Sequence, residues 1–192
     1  MYKGRRVTKT TGSKTKKRNR RPKDQLWFAL RKALREGKIT EEVKRLIKDP
    51  MMDFNGRNAE FSFRRAVEFG HDSVVQFFLE HGTKPDIKSS IIERTPLLRA
   101  CAMGHFDIQR MLLNFGANIH AKGRNFDETV LHLICASDRY KKRGETVKSL
   151  QLMIAHGAEI DVKDKADKTP IDKASDLGKN DAVQMLTNFQ KK

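Results

Sequence analysis

The chain has 192 residues, of which 40 are Lys or Arg and 24 are Asp or Glu, so its formal net charge at pH 7 is +16. This length is enough for one domain with an extension or for a short array of repeats. The hydrophobic content of 38% is low for a compact globule and suits an elongated fold with a large surface. No segment approaches the roughly 18–20 apolar residues that a membrane-spanning helix needs, and the basic start is not followed by the apolar run of a secretory signal.

The positive charge is concentrated at the amino terminus. Residues 1–23 contain 11 Lys or Arg and no acidic residue, so they carry +11 of the total charge of +16. A segment with this much charge and so few apolar side chains cannot bury enough surface to fold. We therefore expect residues 1–23 to be a disordered basic tail.

Three interpretations of this tail stay open. It is typical of a nuclear import signal, of an arm that binds RNA or DNA, and of a charge run that is only solvated. Such an arm would bind any polyanion through counterion release, and it has no aromatic residue except Tyr2 on which bases could stack. The cations concerned are Lys14, Lys16, Lys17, Arg18, Arg20, Arg21 and Lys23.

Residues 24–55 have the pattern of a pair of helices. Apolar residues follow helical spacing up to Gly37, which breaks the pattern, and Thr40 is placed to cap a second helix. We expect this pair to be an irregular first unit of a stack, with Trp27 and Phe28 covering its open end.

The rest of the chain repeats itself at a period of 34 residues. Residues 95–116 have a looser copy 34 residues earlier, in which Gly70 aligns with Gly104 and Gly82 with Gly116. Self-similarity at this period is typical of stacked helix-turn-helix units that share one continuous core.

Two further units follow, and the first of them contains an insertion. Thr129 lies 40 residues before Thr169, which places about seven extra residues around 138–144, between the two helices of that unit. Four cations lie in it and are either a second contact for an anion or part of a long loop: Arg139, Lys141, Lys142 and Arg143. After the tail, the predicted units are at about 24–55, 57–88, 90–122, 124–162 and 164–189.

These units resemble ankyrin repeats, whose signature is Thr-Pro-Leu-His-x-Ala, followed by Gly-His, a Val/Ile-x-x-Leu-Leu helix and a closing Gly-Ala-Asp/Asn. Here the signature is carried by Thr95-Pro96-Leu97, Gly104-His105 and Thr169-Pro170, and only His132 keeps its histidine. The resemblance covers residues 24–189 and implies an all-α ankyrin repeat solenoid of about five helix-turn-helix units. The chain departs from the signature two residues before each threonine position, where glycine is replaced by Ala59, Glu93, Asp127 and Asp167.

The resemblance also implies a binding surface on the concave side of the stack. In this family, recognition uses the hairpin tips and the exposed side of the inner helices. Four large apolar side chains among these positions, Phe69, Met103, Phe126 and Leu177, are expected to form an aligned strip that anchors a partner protein. Mapped onto this chain, the predicted contact residues are Arg57, Asn58, Phe69, Ile91, Ile92, Arg94, Met103, Asn125, Phe126, Lys165, Lys168 and Leu177.

The sequence has no motif of an enzyme or a metal site. It contains no Gly-rich phosphate loop, no Cys-x-x-Cys and no His-Glu-x-x-His. Cys101 and Cys135 are 34 residues apart, at the same place in successive units, and are expected to be reduced core thiols because helices pack too far apart for a disulfide there. We therefore expect no catalytic residue, no cofactor and no metal.

These observations predict a non-catalytic scaffold or adaptor that binds a protein partner on its concave face. We expect it to be a monomer when free and to be located in the cytoplasm or the nucleus, with the tail serving nuclear import or polyanion tethering. The alternative is an RNA-binding component of a ribonucleoprotein that the tail anchors.

Overall fold

The computed structural model describes residues 22–41, 43, 54–87, 94–140 and 144–190 of the chain. The elements within these ranges are helices only, which confirms the predicted all-α class. They are α1 (Pro22–Glu36), α2 (Arg57–Phe69), α3 (Asp72–Glu80), α4 (Pro96–Met103), α5 (Phe106–Asn114), α6 (Val130–Ala136), α7 (Glu145–Ala155), α8 (Pro170–Asp176) and α9 (Asn180–Gln190).

The helices alternate between two layers. In the inner layer α1, α2, α4, α6 and α8 pack side by side, and in the outer layer α3, α5, α7 and α9 do the same. Each inner helix from α2 onward also packs against the outer helix that follows it in the chain. This is the predicted stack of helix-turn-helix units.

One hydrophobic core runs between the two layers. Phe63, Phe78, Leu112 and many other apolar residues are fully buried in it. The core also holds both cysteines, which are free and buried. Burial raises the pKa of the Cys101 thiol and that of Cys135, the latter to about 12. Both side chains are therefore packed, protonated thiols at neutral pH, as predicted.

Threonine caps set where two of the inner helices begin. Thr95 Oγ1 accepts the N–H of Leu98 at 3.4 Å, and Thr169 Oγ1 caps α8 in the same way at 3.2 Å. A proline follows each cap, in the first turn of the helix, where no N–H is needed. These caps are the structural role of the Thr-Pro pair in the repeat signature.

The amino-terminal boundaries differ from the prediction in two places. Helix α1 begins at Pro22, so Lys23 falls in this helix instead of in the tail, of which residues 1–21 lie outside the described residues. Helix α2 begins at Arg57, so positions 57–60, predicted as a hairpin tip, form its first turn. The reason is that this unit lacks the Thr-Pro pair that starts the later inner helices, while Glu60 favours a helix start four residues earlier.

The first unit is described only in part. Gly37 ends α1 with a φ of 66°, and Thr40 Oγ1 accepts the N–H of Val43 at 3.4 Å, as expected of a cap. Most of the predicted second helix lies outside the described residues, and so does the side chain of Trp27. Phe28, expected to cover the open end of the stack, is 57% exposed.

Neighbouring units approach each other closely where the inner helices end. Gly70 and Gly104 end α2 and α4, and each has a φ of 74°. A Cβ atom on Gly70 would lie 2.7 Å from the imidazole ring of His105, whose Nε2 hydrogen-bonds the carbonyl oxygen of Glu68 at 3.1 Å. In the following unit Arg139 takes this place, at 3.1 Å from a Cβ on Gly104. Glycine is thus required here both by its conformation and by the neighbouring unit.

His132 joins the fourth unit to the fifth. Its ring is buried, and Nδ1 accepts the N–H of Thr129 at 3.2 Å. Because Nδ1 is an acceptor, Nε2 carries the proton of the neutral ring and donates it to the carbonyl oxygen of Lys168 at 2.9 Å. Burial lowers the pKa of His132, and the ring is accordingly neutral in the folded chain.

The insertion lies between α6 and α7, as predicted, and Tyr140 anchors its start. The hydroxyl of Tyr140 donates to the carbonyl oxygen of Cys101 at 2.9 Å and accepts from Nε2 of Gln109 at 2.8 Å. The insertion is therefore tied to the unit before it through the core. Residues 141–143 lie outside the described residues.

Replacing Gly104 by Ala should destabilise the chain more than replacing Gly116 by Ala. Both glycines have a positive φ, of 74° and 83°, so both substitutions cost about 1 kcal/mol in backbone strain. Only at Gly104 does the new methyl group also meet the backbone of Arg139, at 3.2 Å, whereas nothing lies within 4 Å at Gly116. Urea unfolding of the two variants measures the difference, and equal losses of stability would contradict the docking of units at Gly104.

Replacing His132 by Gln should cost about 2 kcal/mol at pH 7.5, because it leaves buried partners unsatisfied. The pKa of His132 is lower in the folded chain than its ordinary value of 6.5, so the unfolded chain binds more protons below about pH 6.5. The neutral ring of His132 therefore contributes stability that is lost as the pH falls, and the Gln variant has no such contribution to lose. The gap in unfolding free energy between the two proteins should therefore narrow from pH 7.5 to pH 5.5, and an unchanged gap would be evidence against a neutral, buried ring.

Candidate functional site

We define the inner face as a surface with two parts. One part consists of the side chains of the inner helices that point away from the outer layer, and the other consists of the turns before α6 and α8. On α2 its exposed residues are Arg57, Phe61, Arg65 and Phe69, each four residues from the next. This spacing puts them on one side of a helix. Phe61 is 59% exposed and Phe69 is 52% exposed, which is unusual for side chains of this size.

Arg65 is held in place on this stripe by two neighbours. Its guanidinium lies over the ring of Phe69, at 4.4 Å from the ring centre. Its Nη1 atom is 3.2 Å from Oε2 of Glu68. A cation over an aromatic face is attracted by the electrons of the ring, so this contact favours the position in which the side chain lies.

The next inner helix continues the pattern. Arg99 and Met103 of α4 stand where Arg65 and Phe69 stand one period earlier, and both are half-buried. In α6 the corresponding end position is Ser137, which is buried and whose hydroxyl donates to the carbonyl oxygen of Ala102 at 2.8 Å. The row of large side chains is therefore interrupted in the fourth unit.

The predicted apolar strip is accordingly not one line. Phe69, Met103 and Leu177 lie at or next to the carboxyl ends of their inner helices, with Leu177 51% exposed. Phe126 is 61% exposed but lies in the turn that precedes α6, at the opposite end of the helices. The inner face thus has one cluster of apolar side chains on α2 and α4. Phe126 in the turn before α6 and Leu177 at the end of α8 are exposed separately from it.

The turns before α6 and α8 keep a tight geometry although they lack the expected glycine. Asp127 and Asp167 occupy its position and have φ values of 52° and 60°. Aspartate tolerates this conformation better than most residues, because its short side chain can bond locally. The turn before α6 is closed by the N–H of Gly123, which donates to the carbonyl oxygen of Glu128 at 2.9 Å. The substitutions therefore leave the hairpin tips intact.

The two turns lie next to each other on the inner face. The N–H of Lys165 donates to the carbonyl oxygen of Phe126 at 3.0 Å, and Lys165 Nζ donates to that of Arg124 at 3.1 Å. Lys168 Nζ is 3.1 Å from Oδ2 of Asp176. Both predicted lysines thus make contacts within the fold, while Asn125 is exposed beside Phe126.

A chain of charges links the third, fourth and fifth units below these turns. Arg94 Nη2 is 2.6 Å from Oε2 of Glu128, whose Oε1 is 2.8 Å from Lys173 Nζ. The same Nζ is 2.9 Å from Oδ2 of Asp164. Arg94, predicted to contact a partner, is therefore part of an internal ion-pair chain.

The cations of this chain keep its carboxylates ionised. Burial by itself would raise the pKa of Glu128, but Lys173 and Arg94 outweigh it and hold the pKa below its usual value. Burial would likewise raise the pKa of Asp164, and Lys173 together with backbone N–H groups lowers it. Charges that are buried and paired in this way stabilise the fold only while both partners remain charged.

Sequence reasoning missed Phe61. The repeat alignment placed it at the threonine cap position, although α2 begins four residues earlier. Residues 61, 65 and 69 lie four positions apart, and position 61 has no residue that can cap a helix. These two facts could have indicated that Phe61 lies within the helix, on the same side as Phe69.

Several predicted residues lie outside the described residues. Arg139 is described and is exposed, and Arg57 and Asn58 are exposed in the first turn of α2. In the ranges that the structure describes, no group of three or more His, Cys, Asp or Glu is arranged to hold a metal ion, and no helix has the length and apolar content to cross a membrane. The predicted contact residues that lie outside the described ranges are Ile91, Ile92, Lys141, Lys142, Arg143 and the tail cations Lys14, Lys16, Lys17, Arg18, Arg20 and Arg21.

Comparison with known proteins agrees with this architecture. Residues 63–150 match the family described as Ankyrin repeats (3 copies). The chain is 32% identical over 111 residues to ankyrin repeat and SOCS box protein 11 of Danio rerio, covering 58% of the chain and 34% of that protein. It is 32% identical over 120 residues to ankyrin repeat and KH domain-containing protein mask-1 of Caenorhabditis elegans, covering 61% of the chain and 4% of that protein. A third relative is ankyrin repeat, SAM and basic leucine zipper domain-containing protein 1 of Carollia perspicillata, 31% identical over 113 residues, with 57% and 22% covered.

The chain therefore spans about a third or less of the length of these relatives. The ankyrin repeat is the feature that all three names share. Together with the 34-residue period and the two layers of stacked helices, these matches show that the chain contains ankyrin repeats.

Proposed function

We propose that this chain is a non-catalytic scaffold or adaptor that binds a protein partner on its inner face. Ankyrin repeats are general protein–protein interaction modules. The observation that carries the proposal is the exposure of Phe61, Phe69 and Phe126 on this face. Large apolar side chains that are exposed together and flanked by charges are typical of binding surfaces.

Both cysteines and His132 are used by the fold itself. Cys101 and Cys135 are the two cysteines of the chain, and burial raises the pKa of both thiols. His132 has both ring nitrogens engaged between two units. These roles favour binding over catalysis, and we propose that the chain is monomeric when free and acts in the cytoplasm or the nucleus.

Changing Phe69, Met103 and Phe126 to Ser together should weaken partner binding by about tenfold or more, because it removes the apolar anchors of the inner face. The partner is captured from a nuclease-treated cell extract by the immobilised full chain, identified, and titrated by calorimetry.

The matched control is Phe115→Ser. Phe115 is 45% exposed but follows the outer helix α5, so its loss should leave the affinity unchanged. Neither protein should lose its cooperative unfolding transition. If the triple variant retains every interaction of the unaltered chain, the assignment of the inner face is wrong.

The tail supports a second activity. With 11 cations and no acid in residues 1–23, we propose that it serves nuclear import or tethers the chain to a polyanion. The alternative function, an RNA-binding ribonucleoprotein component, would use the same tail while the repeats face outward.

Removing residues 1–21 should separate the two functions. In the adaptor interpretation the shortened chain still captures its protein partner, whereas in the ribonucleoprotein interpretation it no longer associates with the particle. The affinity of the unaltered chain for a single-stranded oligonucleotide should also fall by about two orders of magnitude between 50 and 200 mM salt, since several phosphate contacts release counterions. Fluorescence anisotropy measures it, and a salt-independent affinity would contradict a tail that binds phosphates.

A further inference from the structure

The charges of the inner face are distributed unevenly. Helices α1, α2 and α4 carry seven exposed or half-buried cations, whereas α6 has almost no exposed side chain and α8 exposes Asp172 and Asp176 beside the half-buried Lys173. The same amino-terminal helices carry three exposed phenylalanines, Phe28, Phe61 and Phe69. Among the inner helices, cations and aromatic rings are thus concentrated on α1, α2 and α4, and further exposed cations lie in the turns before α6 and α8. The seven cations are Arg31, Lys32, Arg35, Arg57, Arg64, Arg65 and Arg99.

Three of these cations occupy equivalent positions in successive units. Lys32, Arg65 and Arg99 each lie five residues before the glycine that ends their helix. Helices that pack side by side lie about 8–10 Å apart. The three cations therefore form a row that crosses α1, α2 and α4.

The row is only partly neutralised by neighbouring acids. Lys32 Nζ is 3.9 Å from Oε1 of Glu36, and Arg65 pairs with Glu68 at 3.2 Å. Within the described ranges, no carboxylate lies within 4.0 Å of the Arg99 side chain.

A second arginine adds to the positive potential near Arg99. Arg64 is paired with Glu60 at 3.5 Å. Burial lowers the pKa of Arg64, and the charge of Arg99 lowers it further. Because Arg64 and Arg65 each have a paired glutamate, the positive charge of these described residues is least compensated at Arg99, one helical turn before Met103.

We propose that α1, α2 and α4 form a docking surface for an acidic peptide segment that also carries a large apolar side chain. Carboxylates of the segment pair with Arg65 and Arg99, and its apolar side chain packs against Phe61 and Phe69. This inference rests on the proposed function and names the chemistry of the partner.

The surface fits such a peptide better than a nucleic acid. Glu36, Glu60 and Glu68 are interleaved with the cations and would repel a continuous phosphate backbone. One face of the Phe69 ring is already covered by Arg65, which leaves less aromatic surface on which a base could stack. A peptide with spaced carboxylates can pair with the edge of the Arg65 guanidinium while that group stays on the ring.

The test is selection of random 12-residue peptides, displayed on phage, on the immobilised full chain at 150 mM salt. Enriched sequences should contain two or more Asp or Glu together with Phe, Tyr, Trp or Leu. As synthetic peptides they should bind at least tenfold more weakly to Phe61→Ser and to Arg65→Glu. Controls on the outer layer are Phe115→Ser and Arg110→Glu, since Arg110 pairs with Asp107 at 3.1 Å much as Arg65 pairs with Glu68. Both controls should bind with unchanged affinity, and thermal unfolding checks that all four variants are folded.

Every other result overturns the inference in a distinguishable way. Enriched peptides without acidic residues that still depend on Phe61 would refute the acidic partner and leave the proposed function standing. Acidic peptides insensitive to both inner-face variants would assign the binding to the tail and refute the inference. Failure to enrich any sequence, or tight binding of a 12-nucleotide oligothymidine that Phe61→Ser abolishes, would refute it as well. Loss of the cellular partner in the serine triple variant tests the proposed function separately.

Discussion

Each unit of this chain is stable only against its neighbours, because a single pair of short helices cannot bury its own apolar side. Close approaches occur at Gly37, Gly70 and Gly104, whose missing side chains let His71, His105 and Arg139 of the next unit dock against them. On the opposite side of the units, His132 and the charges around Glu128 supply polar links. Glycine contacts with hydrogen bonds at one end of the inner helices, and ion pairs with hydrogen bonds at the other, keep them side by side, and this arrangement presents the exposed residues of α2 and α4 on one surface.

The fold could be predicted because its determinants recur in the sequence. The 34-residue period, the caps at Thr95 and Thr169, and the place of the insertion each follow from residue types whose conformational preference is local. The start of α2 could not be found in the same way, since that unit lacks the Thr-Pro pair and the alignment carried its boundary over from the units that have one. At Asp127 and Asp167 the alignment shows only that glycine is replaced, and the positive φ values of the two aspartates show that the turns keep their geometry.

The candidate site was less predictable than the fold, because exposure depends on how neighbours pack. The repeat alignment assigned Phe69, Phe126 and Leu177 to the inner face, and all three are exposed there. It could not foresee that Ser137 would be buried against Ala102, or that Arg94 would pair with Glu128. Both facts involve residues 34 or 35 positions apart. Such pairings between units are set by side-chain geometry and are not encoded in the period itself.

The links at the two ends of the inner helices differ in chemistry, and they therefore respond differently to acid. Protonation of Glu128 and Asp164 would break the links beside the turns, while the glycine contacts at the other end carry no titratable carboxylate. The last three units would then lose their ion pairs at this end of the inner helices, while the hydrogen bond from Lys179 Nζ to the carbonyl oxygen of Ser137, at 2.6 Å, would still join the fourth and fifth units at the other end. Because the pKa of Glu128 and that of Asp164 are both held below their usual values, these links persist to a lower pH than isolated carboxylates would allow.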